Sequence, residues 1–211
     1  VMYKKGRGVE QDYQEAVKWY RLAAEQGFSP AQFYLAIMYD NGEGVKQDYQ
    51  EAFKWYSFAA KQGDAGAQLW LGVMYEEGKG VEQDYKEAVK LYRLAAEQGE
   101  SGAQLFLGFM YESGRGVIKD CQEAVRLYRL AAEQGNTPAQ YSLGRMYEKG
   151  QGVKQDYNEA VRWFRLAAEQ RYASAQFYLG IMYEKGKGIE RNYQEAVKWY
   201  KLAAEQGDAE A

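Results

Sequence analysis

The groups able to do chemistry in this 211-residue chain are few. There is no histidine, so the commonest general base and zinc ligand is missing. The one cysteine, Cys121, cannot close a disulfide within the chain or build a thiolate metal site. No imidazole is present to activate it, and it stands where sister positions carry tyrosine, so it reads as a buried, inert thiol. Carboxylates are plentiful, with 30 Asp and Glu against 27 Lys and Arg, but none forms a unique pair suited to acid–base catalysis. Gly-x-Gly loops such as Gly114-Arg115-Gly116 invite a phosphate reading. They follow helical rather than strand patterns and recur six times, so they read as helix breaks. Basic residues around them (Lys4, Lys5, Arg7, Lys79, Arg115, Lys149, Lys185, Lys187) interleave with Asp40, Glu76, Glu112, Glu148 and Glu184, which reads as a solvated edge of mixed sign. A net charge of -3 lacks the basic footprint that nucleic acid requires. No apolar run approaches the roughly 20 residues of a membrane span. No catalytic residue, metal ligand or cofactor is assigned.

The elements that position these groups come from an internal repeat. Asp12-Tyr13 returns as Asp48-Tyr49, Asp84-Tyr85, Asp120-Cys121, Asp156-Tyr157 and Asn192-Tyr193, always 36 residues on. The single array covers 1–211, with complete units 12–47, 48–83, 84–119, 120–155 and 156–191 and partial units 1–11 and 192–211. It reads as a segment of a longer array. All six Met share one phase of the repeat, all 23 Gly fall in five phases, and 16 of the 20 Tyr fall in three. Residues reused at this regularity are packing framework, because stacked units must make the same contacts each time.

Within the unit 84–119, Asp84 and Glu87 fit a capping box: Asp84 caps the helix and Glu87 reaches back to it. Residues up to Gln98 favour helix, and Gly99 stands where a left-handed residue ends one. A second helix is expected from about Gly102 to Ser113. On a wheel of about 100° per residue, Tyr85, Ala88, Val89, Tyr92, Ala95 and Ala96 form the core face of the first helix. Lys86, Lys90, Arg93 and Glu97 form its wet face. In the second helix Ala103, Leu107, Met110 and Tyr111 form the core face, with Gly108 beside them for close helix contact.

The run Ala103-Gln104-x-x-Leu107-Gly108-x-Met110-Tyr111-x-x-Gly114-x-Gly116-Val117 joins Asp120-x-x-x-Ala124-x-x-Leu127-Tyr128-x-x-Ala131-Ala132-x-x-Gly135. This pattern resembles the Sel1-like repeat family, relatives of tetratricopeptide repeats. The resemblance implies an all-α fold: a right-handed α/α superhelical solenoid of 36-residue helix-turn-helix repeats, its second helices lining a concave surface. It implies an adaptor that binds proteins or peptides, often in bacteria. A cysteine-rich branch is linked to penicillin binding, and this chain lacks those cysteines.

The phases of Gly102, Leu105, Phe106, Phe109 and Ser113 lie together on the wheel and vary most between copies. They define the candidate groove: Phe33, Tyr34 and Ile37; Trp70 and Val73; Phe106 and Phe109; Tyr141 and Arg145; Phe177, Tyr178 and Ile181. One reading is a partner-binding face; the other is packing between repeats. Arg145, where other copies are apolar, reads as a carboxylate pocket or as neutral drift. The expected function is a non-catalytic scaffold with a protein or peptide partner, no nucleic acid and no membrane insertion. A hydrolase with penicillin-binding activity and a structural spacer are the alternatives. Arg171 replaces the glycine of the other copies and is expected to be strained if that site is left-handed.

Overall fold

The computed structural model describes residues 12–206. Among them are eleven helices and no strand. The first helix of each hairpin is α1 (Tyr13–Glu25), α3 (Tyr49–Lys61), α5 (Tyr85–Glu97), α7 (Cys121–Glu133), α9 (Tyr157–Glu169) or α11 (Tyr193–Ala204). The second is α2 (Ser29–Asn41), α4 (Ala65–Glu77), α6 (Ser101–Ser113), α8 (Thr137–Lys149) or α10 (Ala173–Lys185). The chain divides into two compact units between Ala103 and Gln104, inside α6. In the first, helices α1 to α5 each pack on their sequence neighbours; in the second, α7 to α11 do the same. Packing of this kind is local and repeats with the sequence.

Local chemistry fixes the helix ends. Asp84 Oδ1 accepts from the Lys86 and Glu87 amides at 2.8 and 3.1 Å. The reciprocal half of the expected capping box is not made. The Asp84 amide donates instead to the Tyr75 carbonyl at 2.9 Å, and Glu87 takes Lys90 Nζ at 2.6 Å. The preceding hairpin already satisfies that amide, so the side chain is free to pair along its own helix. Second helices end at a glycine with φ near +70°, as at Gly78. Gly80 follows, and a Cβ there would collide with the Tyr49 carbonyl, so this loop touches the start of the preceding first helix.

The core is built from alanines, leucines and methionines packed around large rings such as Tyr56, Tyr92, Tyr128 and Phe164. Ala88, Val89, Tyr92 and Ala95 are buried as expected, while Tyr85 and Ala96 are only half-buried and Leu91 joins them. Met38, Met74, Met110, Met146 and Met182 are all buried; Met2 lies outside the described residues, as do Lys4, Lys5 and Arg7. A Cβ on Gly108 would lie 2.7 Å from the Tyr128 ring. Cys121 is half-buried rather than buried. Its phase lies at a hairpin edge, where Tyr49, Tyr85 and Tyr157 are half-buried too.

Candidate functional site

The groove candidates lie on the second helices at one register, and the structure separates them by exposure. Trp70 and Phe109 point outward, 42% and 40% exposed. Phe33, Tyr34, Ile37, Val73, Phe106, Tyr141, Arg145, Phe177, Tyr178 and Ile181 are half-buried. The inner rings pack on the framework. Tyr34 stacks on Tyr20 with centroids 5.4 Å apart, and Phe33 lies 5.6 Å from Tyr34 and 5.9 Å from Tyr56. Phe109 carries the Arg115 guanidinium 5.3 Å from its ring centre. The stripe is thus divided: its inner rings pack on the framework, and Trp70 and Phe109 remain exposed.

In the second compact unit Tyr141, Arg145, Phe177 and Tyr178 come together. Tyr141 lies 5.5 Å from Tyr172, 5.7 Å from Tyr178 and 6.0 Å from Phe164. Phe177 continues the cluster to Tyr178 and Tyr200 at 5.9 and 5.5 Å. The Arg145 guanidinium sits 4.4 Å from the Tyr178 ring centre, and its Nη1 donates to the Tyr141 hydroxyl at 2.9 Å. Its Nε is 3.3 Å from Glu148 Oε2, an ion pair rather than an aligned hydrogen bond. Burial works against the charge of Arg145, but the Tyr141 hydroxyl, Tyr178 and Glu148 outweigh it and raise its pKa.

Sister copies explain the pair with Glu148. Tyr92 donates to Glu76 and Tyr128 to Glu112, each at 2.6 Å, and Tyr200 donates to Glu184 at 2.9 Å. Burial first, then the neighbouring carboxylate, pushes all three phenols upward in pKa. The equivalent of these tyrosines beside Glu148 is Phe164, which has no hydroxyl. Arg145 takes the carboxylate that the missing hydroxyl would hold. The carboxylate of the expected Arg145 pocket is thus supplied by the chain itself.

A second polar network escaped the sequence reading. Gln32, Gln68, Gln104, Gln140 and Gln176 are buried. Gln32 Nε2 donates to the Ala24 carbonyl at 3.1 Å, and Gln62 Nε2 donates to Gln32 Oε1 at 2.7 Å. Gln140 repeats the arrangement with Ala132 at 3.2 Å and Gln170 at 2.9 Å. A glutamine retained at one phase through every copy was the available signal, since burial of an amide requires partners.

The repeat recurs in known proteins. The Sel1 repeat model matches residues 1–28, 29–64, 65–100, 101–136, 137–172 and 173–208. The chain belongs to the Sel1-repeat family. It is similar to c5321, a protective antigen present in uropathogenic Escherichia coli strains that displays an SLR fold. Identity is 42% and the TM-score 0.91, over 98% of this chain and 44% of that one. This Sel1-repeat chain thus spans less than half the length of that relative. A Sel1 repeat protein from Oxalobacter formigenes is 39% identical with a TM-score of 0.88, over 96% of this chain and 81% of that one. Immunity protein Pa5087 from Pseudomonas aeruginosa, at 23% identity and a TM-score of 0.60 over 96% and 80%, shares the fold. No curated protein matches the chain.

Proposed function

We propose that this Sel1-repeat chain is a non-catalytic scaffold that takes a protein or peptide partner on the stripe of its second helices. One observation carries the reading: Trp70 in the first compact unit and Phe109 in the second each expose a large ring at a position that varies between copies, on helices whose repeated positions are buried. Exposed aromatic anchors are the residue type that dominates interface energy. The family commonly supplies such scaffolds, and no helix among the described residues is long and apolar enough to cross a membrane. Among those residues no group of His, Cys, Asp and Glu is arranged to hold a metal ion. No observation favours the hydrolase or the spacer.

The test is selection of peptides from a display library on the wild-type chain, followed by binding to Trp70→Ala and Phe109→Ala. Truncating a central anchor costs about 2 kcal/mol, roughly a 30-fold loss of affinity. Melting temperatures are expected to stay close to wild type, because both rings are outside the core. Unchanged affinity in both variants would refute the groove.

A further inference from the structure

Arg145 shows what a guanidinium does on this stripe: it lies on a ring from the next repeat and reaches a carboxylate three residues along its own helix. The same positions exist three repeats earlier. Ile37, Asp40, Trp70 and Phe33 stand 108 residues before Arg145, Glu148, Tyr178 and Tyr141. All four belong to the first compact unit. The carboxylate and the ring are there, and the cation is not. We propose that, in this first copy, the place of the Arg145 guanidinium is taken by an arginine side chain of the partner, held between Trp70 and Asp40 over Ile37. The inference rests on the binding reading above and adds the chemistry of the partner.

Three features favour this occupant. Indole is the best of the aromatic faces for a cation, and Trp70 is 42% exposed. Ile37 offers an aliphatic bed for the methylenes of an arginine that ends on a polar group. Asp40 is half-buried and faces Tyr56, Lys79 and Glu77. Tyr56 is the sister of Tyr92 and Tyr128, but Asp40 is one methylene shorter than Glu76 and Glu112 and takes no hydrogen bond from it. Lys79 Nζ is already committed to Glu77 at 2.6 Å and lies over Tyr49 at 5.7 Å. Phe33 lacks the hydroxyl that Tyr141 provides, so two of the three contacts made by Arg145 are available. The Phe109 copy does not offer the same seat. The position equivalent to the Tyr178 ring is Ser142 there, and Phe109 already carries Arg115.

The experiment titrates the full 211-residue chain with N-acetyl-L-argininamide and, separately, with its neutral isostere N-acetyl-L-citrullinamide. The Trp70 indole N–H resonance is followed by NMR and assigned with Trp70→Phe. A saturable shift with argininamide at about millimolar concentration is expected, with at most a weak one from citrullinamide. Asp40→Asn is expected to weaken the arginine response at least about fivefold. Ile37→Arg is expected to abolish it by filling the seat from within, with the remaining amide resonances reporting an intact fold. An equal response to both probes, no response to either, or a response that survives Ile37→Arg overturns the proposal. Peptides that lose affinity on Trp70→Ala but bind regardless of arginine content would overturn it as well, while leaving the binding scaffold standing.

Discussion

If Arg145 stands in for a missing tyrosine hydroxyl, the two positions must be energetically coupled. Arg145→Ile gives the fourth copy the residue found at Ile37 and Ile181. It removes the ion pair to Glu148, the bond to Tyr141 and the contact with Tyr178. The Arg145 and Glu148 side chains keep only 25% and 21% of their exposure, so the pair is worth more than a surface one but less than a buried one. With about 1 kcal/mol for the cation over the ring and about 1 kcal/mol for a carboxylate left without a donor, the loss is about 2 kcal/mol. Phe164→Tyr in that background restores the hydroxyl that Tyr92 and Tyr128 present to Glu76 and Glu112 at 2.6 Å. It should return about 1 kcal/mol. In the presence of Arg145 the same hydroxyl finds Glu148 already engaged, and Phe164→Tyr should change stability by less than about 0.5 kcal/mol. Urea denaturation of the four proteins closes a double-mutant cycle, with an expected coupling of about 1 kcal/mol. Additive effects, to within about 0.3 kcal/mol, would mean that Arg145 and Phe164 departed independently and that the surrogate role is wrong.

Arg171 has φ +65°, and among the described residues it is the one non-glycine with positive φ. A Cβ at the equivalent Gly27, Gly63, Gly99 and Gly135 meets nothing within 4 Å, so the penalty at Arg171 is backbone strain alone. Arg171→Gly should therefore stabilise by about 1 kcal/mol, or about 2–4 °C in melting temperature; a lower melting temperature would mean that the arginine side chain holds something. The phenols shielded from water make the fold sensitive to alkali. Burial, aided by Glu184, pushes Tyr200 up to about 12, and Tyr56, Tyr92 and Tyr128 are raised further. The unfolded phenols ionise near their ordinary value of about 10, so this contribution is complete below pH 10 and is lost as pH rises through about 12. Tyrosinate absorbance should then rise together with loss of helical circular dichroism; full ionisation near pH 10 with the helices intact would contradict the assigned burial.

Much of the fold was legible because its signals are local. An Asp at the N-cap, a glycine at positive φ and an apolar stripe each act within one or two turns, and the 36-residue period repeats them in register. Contacts that depend on a distant residue were not legible. A glutamine at the phase of Gln140 reads as surface until its partners, the Ala132 carbonyl and Gln170, are known from the structure. Leu69 and Trp70 are successive residues about 100° apart on the same variable stripe, yet Leu69 is buried and Trp70 exposed, a difference set by the neighbouring helices. Arg145 and Glu148 stand at pairing distance along one helix, but the reason for their pairing, Phe164, is on another.

That last case changes how departures in a repeat array should be weighed. A residue that breaks the pattern points to a partner only when nothing inside the chain answers it. Arg145 is answered by Glu148, Tyr141 and Tyr178. The Cys121 position shows the same logic. In two other copies the ring at this phase carries a lysine, Lys79 lying 5.7 Å from Tyr49 and Lys187 lying 4.9 Å from Tyr157. At Cys121 the ring is gone, and the lysine position holds Gln151. The two departures cancel, and neither calls for a ligand. Trp70 is different: it exposes an indole where Tyr34 packs on Tyr20. The position of the carboxylate that binds a cation within the fourth copy is held in the first by Asp40. A ring and an anion without their cation are the part of the pattern left incomplete within the chain, and a partner's arginine completes it.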